Sequence, residues 1–292
     1  MLERITMFDW LKTYWEAFQI VRRGENRDYS NVCNVAFIGC APRSGSTMLM
    51  RVLDSHSQIA SPCELAIPRY FQRDKKQQIV NNKYRQICNY YGAKPLLAKL
   101  NPNRLFERIF QKEGKSCLAI KEPRQSLFFE DIGRDFPNAK FVHLVRDARS
   151  IAMSEWFHNN PKRGLSIWYD YNMAVVQLFE QLNPKQIYTV RYEDIVCDST
   201  ATVSKLVEFL GYDFEPEMLE YGRFEHADDK MNLWGTSGKG VKANEAPQHK
   251  ALGLKIDPTT MKDRENYTPE VLQAYAEMDE IQRLNTQFGY ST

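Results

Sequence analysis

Residues 35–39, VAFIG, form a continuous apolar run that leads through CAPRSGST directly into MLMRVLDSH. A short run with no polar alternation suits a parallel strand buried on both faces. The serines, threonine and glycine that follow are turn and helix-start residues, and a helix reads from 46 to 55. A strand, a tight turn and a helix in that order commit the chain to an α/β architecture with the turn at the carboxyl end of a strand. Backbone N–H groups at such a helix start, with the helix dipole behind them, hold one phosphate or a similar anion.

The rest of the chain repeats the alternation. Further strands read at 117–120 (CLAI), 139–145 (AKFVHLV) and 186–191 (QIYTVR). Helices read at 124–136, from about Asp147, at 165–181, at 199–210 and at 268–284, and residues 64–113 are helical in character between Pro68, Pro95 and Pro102. The expected fold is therefore α/β: a P-loop-like three-layer fold with a central parallel sheet and helices on both faces. Residues 222–267 show little periodicity. Their glycines at 235, 238 and 240 and the lysines at 239 and 242 suggest a lid over a site.

Residues 1–31 read as a separate amino-terminal helix and polar linker, with the main domain at 32–292. In the helix Phe8, Leu11, Trp15 and Phe18 recur at helical spacing, but Asp9, Lys12 and Glu16 interrupt the run, so it cannot span a bilayer. Docking of that face on the domain or on the other copy of a homodimer is the expectation, with peripheral contact at a membrane surface as the alternative.

At 292 residues and 43% hydrophobic content the chain suits one large domain. Lysine and arginine (39) nearly balance aspartate and glutamate (37), which argues against a nucleic-acid partner and makes any anion site local. Six cysteines without a C-x-x-C pair, and without histidines at ligand spacing, point to reduced thiols and no metal site. The start of the sequence lacks a basic n-region and cleavage site, so a cytoplasmic location is expected.

A nucleotide P-loop reads G-x-x-x-x-G-K-[ST], its lysine reaching the β- and γ-phosphates. Aligned on Gly45, this chain has Cys40 for the first glycine and Ser46 for the lysine. The loop keeps what holds one phosphate and lacks what holds a triphosphate with its metal. Residues 42–47, PRSGST, resemble the 5'-phosphosulfate loop of the sulfotransferase family. A second motif strengthens the resemblance: Arg146 at a strand end and Ser154 eight residues on, in FVHLVRDARSIAMS, match the family's pair for the 3'-phosphate of the donor. The similarity runs from about Val35 to Leu219, includes VRYEDIVCDSTATVSKLVEFLGY, and is greatest to the tyrosylprotein and bacterial branches.

The resemblance implies transfer of a sulfuryl group from 3'-phosphoadenylyl sulfate (PAPS) to a hydroxyl or amine, with PAP as product and no metal. It implies that Ser44, Gly45, Ser46 and Thr47 wrap the 5'-phosphate and that Arg43 and Lys121 stabilise the transferring group. Tyr192 is placed against the nucleotide and Lys239 near the 3'-phosphate. Glu64, 21 residues after Arg43, takes the position of the catalytic base of the tyrosylprotein branch. Its carboxyl is either raised by burial or kept low with a poised partner.

The branch that uses a histidine soon after the lysine is not matched, since KEPRQS has none. His143 reads as core. His158, His226 and His249 read as surface or packing residues, with His158 the next candidate base. Trp156, Trp168 and Trp234 are candidates for an acceptor pocket. The expected acceptor is a small metabolite or natural product, with a tyrosyl peptide, lipid or polysaccharide as alternatives. A degenerate P-loop nucleotide kinase and a silent nucleotide-binding scaffold are the readings from other classes.

Overall fold

The computed structural model describes residues 7–25, 29–231, 255–256 and 266–291. Five parallel strands, β1 (Val35–Cys40), β2 (Ile59–Ala60), β3 (Cys117–Lys121), β4 (Lys140–Val145) and β5 (Ile187–Arg191), form one sheet in the order β2-β3-β1-β4-β5. In β1, Phe37 is in register with Ile120 on one side and Phe141 on the other. After β1 the chain runs to the edge at β2 and returns to β3 beside β1, then crosses to β4 and β5 on the other side. The strand order thus reverses beside β1, and the loops after β1 and β4 flank the crevice where open parallel sheets bind ligands.

Period-two alternation divides the strand residues between two cores. Val35, Phe37, Leu118, Ile120 and Phe141 face one side. There they meet α3 (Gln77–Tyr91), α5 (Asn103–Glu113), α6 (Phe129–Asp135) and α8 (Pro161–Phe179). Ala36, Ile38, Cys40, Ala119, Val142 and Leu144 face the other, against α2 (Ser46–Asp54) and α10 (Ser199–Leu210). These are the three layers expected. A third cluster around Trp168 and Tyr171 of α8 joins α7 (Ala148–Ala152) to two carboxyl-terminal helices. Between β5 and α10 lies the short α9 (Tyr192–Cys197).

Several local readings differ. The stretch 124–136 is a 3-10 helix, Pro123–Phe128, followed by α6. α8 begins four residues before the expected 165, where Pro161 occupies its first turn and the Asn160 side chain accepts from the Arg163 N–H. The closing helix is two, Pro269–Ala276 and Asp279–Gln287, broken at Glu277 and Met278.

The boundary at 222 falls inside a 3-10 helix, Pro216–Arg223, and a further helix, α11 (Ala227–Met231), follows. This part of the supposed lid is pinned to α2. Arg51 Nη2 reaches Asp228 at 3.0 Å and Asp229 at 2.7 Å, and His226 Nδ1 lies 2.6 Å from Asp54 Oδ2. Trp234, Lys239, Lys242, His249 and the glycines at 235, 238 and 240 lie outside the described residues.

The amino-terminal helix α1 (Met7–Arg22) docks, but not through the face expected. Ala17 and Ile20 pack on Leu97 and Leu100 of α4 and its carboxyl end (Pro95–Leu100), whereas Leu11, Trp15 and Phe18 face solvent. A narrow seam of small and branched residues meets the domain, and the broad aromatic face turns away from it. Among the described residues no helix is long and apolar enough to cross a membrane. All six cysteines are free, four of them buried.

Candidate active site

The turn after β1 is bent by two left-handed residues, Arg43 at φ 71° and Gly45 at φ 83°. Glycine adopts this freely; a side-chain-bearing residue pays about 1–2 kcal/mol for it. The surroundings enforce the bend. The Ser126 hydroxyl accepts from the Cys40 N–H at 2.9 Å and donates to the Cys40 carbonyl at 3.2 Å. At Gly45 a Cβ would stand 2.2 Å from Cδ2 of Tyr192, so only glycine lets that ring lie on the turn. Gly45 is also the N-cap of α2 and contributes no side-chain acceptor to its first N–H groups. Those groups, Ser46 and Thr47 included, remain available to an anion.

Arg146, the residue after β4, joins this turn. Its Nη1 donates to the Arg43 carbonyl at 2.6 Å and its guanidinium lies 4.8 Å from the centre of the Tyr192 ring. Its own carbonyl accepts from the buried Trp168 indole N–H at 2.8 Å, which fixes the strand end. Loop, arginine and tyrosine, read from three separate stretches of sequence, are therefore one cluster. Arg43 Nε and Ser44 Oγ in the turn, and Ser154 Oγ just beyond α7, are enclosed and make no hydrogen bond among the described residues. Leaving such atoms unmatched costs about 1–3 kcal/mol each, so the cluster suits an anionic ligand with many acceptor oxygens. Arg43 also stacks over Trp156 at 5.5 Å, and burial, opposed by Glu155, holds its pKa below the ordinary arginine value.

A second cluster occupies the end of β3. Glu64 forms a single parallel bridge with Lys121, and the Leu65 N–H donates to the Lys121 carbonyl at 3.2 Å. Lys121 is 0% exposed, and its Nζ donates to Glu64 Oε1 at 2.6 Å. Lys83 of α3 donates to the other oxygen, Oε2, at 3.2 Å. Burial disfavours the Glu64 charge, but Lys121 and Lys83 together outweigh it and pull the carboxyl down to about 2. Of the two states left open above, Glu64 is the low, partnered one. Glu122 is its opposite: burial first, then repulsion from Glu64, pushes it up to about 7, and its enclosed Oε2 makes no hydrogen bond among the described residues.

Cys40 links the clusters, because β1 lies between β3 and β4. Burial pushes its thiol up to about 12, against the field of Lys121 and a hydrogen bond with Ser46. Lys83 and Glu122 escaped the sequence reading. Lys83 sits in mid-helix with no local signal, whereas Glu122 follows directly on the strand-end lysine, where a charged residue is a visible cue. The histidines among the described residues lie elsewhere. His143 is buried against Asn172 and lowered to about 4 by that burial, His158 is exposed and bonds the Glu155 carbonyl, and His226 is buried on Asp54.

A family model described as the sulfotransferase family matches residues 36–216, well over half of the chain and every site residue above, so the chain belongs to the sulfotransferase family. A Caenorhabditis briggsae protein named "Putative protein-tyrosine sulfotransferase" is 25% identical over 226 residues, which cover 73% of this chain and 78% of that one. The omega-hydroxy-beta-dihydromenaquinone-9 sulfotransferase Stf3 of Mycobacterium bovis is 26% identical over 151 residues, 45% of this chain and only 38% of its own length. Among solved structures, the sulfotransferase domain of the Synechococcus PCC 7002 olefin synthase superposes with a TM-score of 0.65 at 23% identity, over 88% of this chain and 95% of that one. The fold is thus that of a sulfotransferase, and the chain is a transferase by family.

Proposed function

We propose that this chain moves a sulfuryl group from PAPS to a hydroxyl or amine and releases PAP. The observation that carries the reading is the meeting of Arg146, Tyr192 and the lysine-free loop, where Ser44 Oγ is enclosed without a hydrogen bond among the described residues. When bound, PAPS supplies a sulfuryl group on a good leaving phosphate. Ser44, Gly45, Ser46 and Thr47 hold its 5'-phosphate through backbone N–H groups and hydroxyls, and Arg146 and Ser154 hold its 3'-phosphate. Tyr192 orients Arg146 and borders the nucleotide.

Sulfuryl transfer resembles phosphoryl transfer, an in-line displacement through a loose transition state in which positioning and charge stabilisation do most of the work. The acceptor oxygen or nitrogen bonds to sulfur as the bond from sulfur to the bridging oxygen breaks, and that electron pair leaves with PAP. Lys121 turns from Glu64 to the bridging oxygen and meets the charge that grows there, while Arg43 faces the equatorial oxygens. Glu64, left with Lys83 alone, becomes more basic and takes the acceptor's proton. A resting carboxyl near 2 is a poor base, so coupling its release to the movement of Lys121 confines proton removal to the loaded site.

The acceptor we favour is a small metabolite or natural product in the cytoplasm, where the six free cysteines would stay reduced. A tyrosyl peptide and a lipid are the other classes, supported by the names of the two relatives, and a polysaccharide is the third. Incubating the chain with sulfur-labelled PAPS, EDTA and a panel of phenols, alcohols, amines and tyrosyl peptides tests the reading. Labelled product with stoichiometric PAP is expected. No transfer to any class, together with Mg²⁺-dependent turnover of ATP, would assign the site to a nucleotide kinase instead.

A further inference from the structure

We propose that the exposed face of α1 binds the surface of an anionic lipid membrane. Trp10, Leu11, Tyr14, Trp15, Phe18 and Val21 are each between 51% and 62% exposed. They are half of the twelve large hydrophobic residues exposed among the described residues, and all lie on one helix of 16. At 100° per residue they fill a continuous arc of about 140°. Aromatic contacts hold the arc together: the Trp10 and Tyr14 rings are 4.2 Å apart and the Trp15 and Phe18 rings 5.8 Å. The helix does not need this face to stay on the domain, because Ala17 and Ile20 dock it from another side and Lys94 pairs with Glu16 at 3.6 Å.

Two features choose lipid over a second copy of the chain. The arc is rich in tryptophan and tyrosine, whose rings carry one polar tip and settle at the level of lipid headgroups. At the same 100° per residue Lys12 and Arg22 fall on either side of Trp15, at one edge of the arc, while Lys94 and Arg104 stand on the segment that α1 packs against. Glu16 pairs with Lys94, and Glu25 with Arg23 at 3.7 Å and Arg104 at 3.8 Å, so the charge at the edge of the arc is that of Lys12 and Arg22. A two-fold dimer through this face would bring the Lys12 and Arg22 edges of two copies into one seam, whereas an anionic leaflet complements that edge while the aromatic arc enters the interface. Long basic side chains such as Arg22 reach past the arc to the headgroups.

The proposal is independent of the reaction, and its test reads lipid alone. The full chain is sedimented with vesicles of phosphatidylcholine containing phosphatidylglycerol, and with vesicles of phosphatidylcholine only. Binding to the anionic vesicles is expected, weaker on the neutral ones. The double variant Trp15→Glu, Phe18→Glu should reduce it by about tenfold or more, with an unchanged melting temperature because both side chains are in solvent. A second variant, Lys12→Glu with Arg22→Glu, leaves the apolar arc whole and should also weaken binding to the anionic vesicles. The proposal is overturned if the wild type stays in solution with the anionic vesicles, or if both variants sediment as it does. It is overturned equally if light scattering shows a lipid-free dimer that Trp15→Glu, Phe18→Glu splits, since the face would then belong to a second copy.

Discussion

Glu122→Gln should stabilise the protein at pH 8 and leave it nearly unchanged at pH 4. In the folded chain burial and the neighbouring Glu64 raise this carboxyl from 4.5 to about 7. Between those values the folded state holds a proton that the unfolded state has released, so the unfolding free energy falls as pH rises. The gap amounts to on the order of 3 kcal/mol, fully lost above pH 7. Glutamine has the shape of the protonated acid and no charge, so the variant escapes the loss. Glu64 and Asp54 do not blur the window: both are held below their ordinary values, so the stability they give is present above those values and lost only in stronger acid. His143, lowered to about 4, adds a slope of opposite sign that is common to both proteins and cancels in their difference. Urea unfolding of wild type and variant at pH 5, 6, 7 and 8 measures that difference directly. A gap between them that does not grow with pH would refute the argument and mean that Glu122 is ionised throughout.

Three other substitutions follow from the geometry. Glu64→Gln should lower kcat by roughly 10² to 10⁴ with PAP affinity almost unchanged, as read by turnover and calorimetry; full activity would shift the base to another residue. Gly45→Ala places a methyl 2.2 Å from the Tyr192 ring at a positive φ. It should lower the unfolding free energy by about 1–3 kcal/mol and weaken PAP binding, whereas an unaltered melt would mean that the loop is not pinned as described. Asp228→Ala strips a 0% exposed carboxylate from Arg51. Denaturant unfolding should show a loss of about 3 kcal/mol, and no loss would make the anchor of α11 incidental.

What was legible in the sequence follows from how far each signal reaches along the chain. The strands at 35 and 117 stand out because strands buried on both faces leave unbroken apolar runs, whereas those at 139 and 186 carry polar residues and the latter is only half-buried. The helix at 199–210 is legible from its amphipathic pattern and its start rich in Ser and Thr, and in the structure Asp198 caps it and Gly211 ends it. β2 has two residues and no pattern to read. The break at Glu277 and Met278 was hidden by continuous helical periodicity, although the acidic pair Asp279 and Glu280 marks a new first turn. At the site, the loop and Arg146 were visible as motifs, and their meeting with Tyr192 needed the fold. That Glu64 is held by two lysines was not visible, because Lys83 comes from a helix 19 residues away and is brought in only by packing. Which side of α1 meets the domain is not legible, because spacing defines an apolar face without saying which part of the helix docks.

The claim that the site reads a 3'-phosphorylated adenosine nucleotide is tested most directly by calorimetric titration of the wild type and Arg146→Ala with PAP, AMP and ATP in Mg²⁺. The structure predicts that wild type binds PAP more tightly than AMP or ATP by about 2–4 kcal/mol, the worth of charge-assisted contacts to one phosphate, and that Arg146→Ala erases most of that preference. ATP with Mg²⁺ binding as tightly as PAP, or a preference for PAP that survives the loss of Arg146, would contradict it.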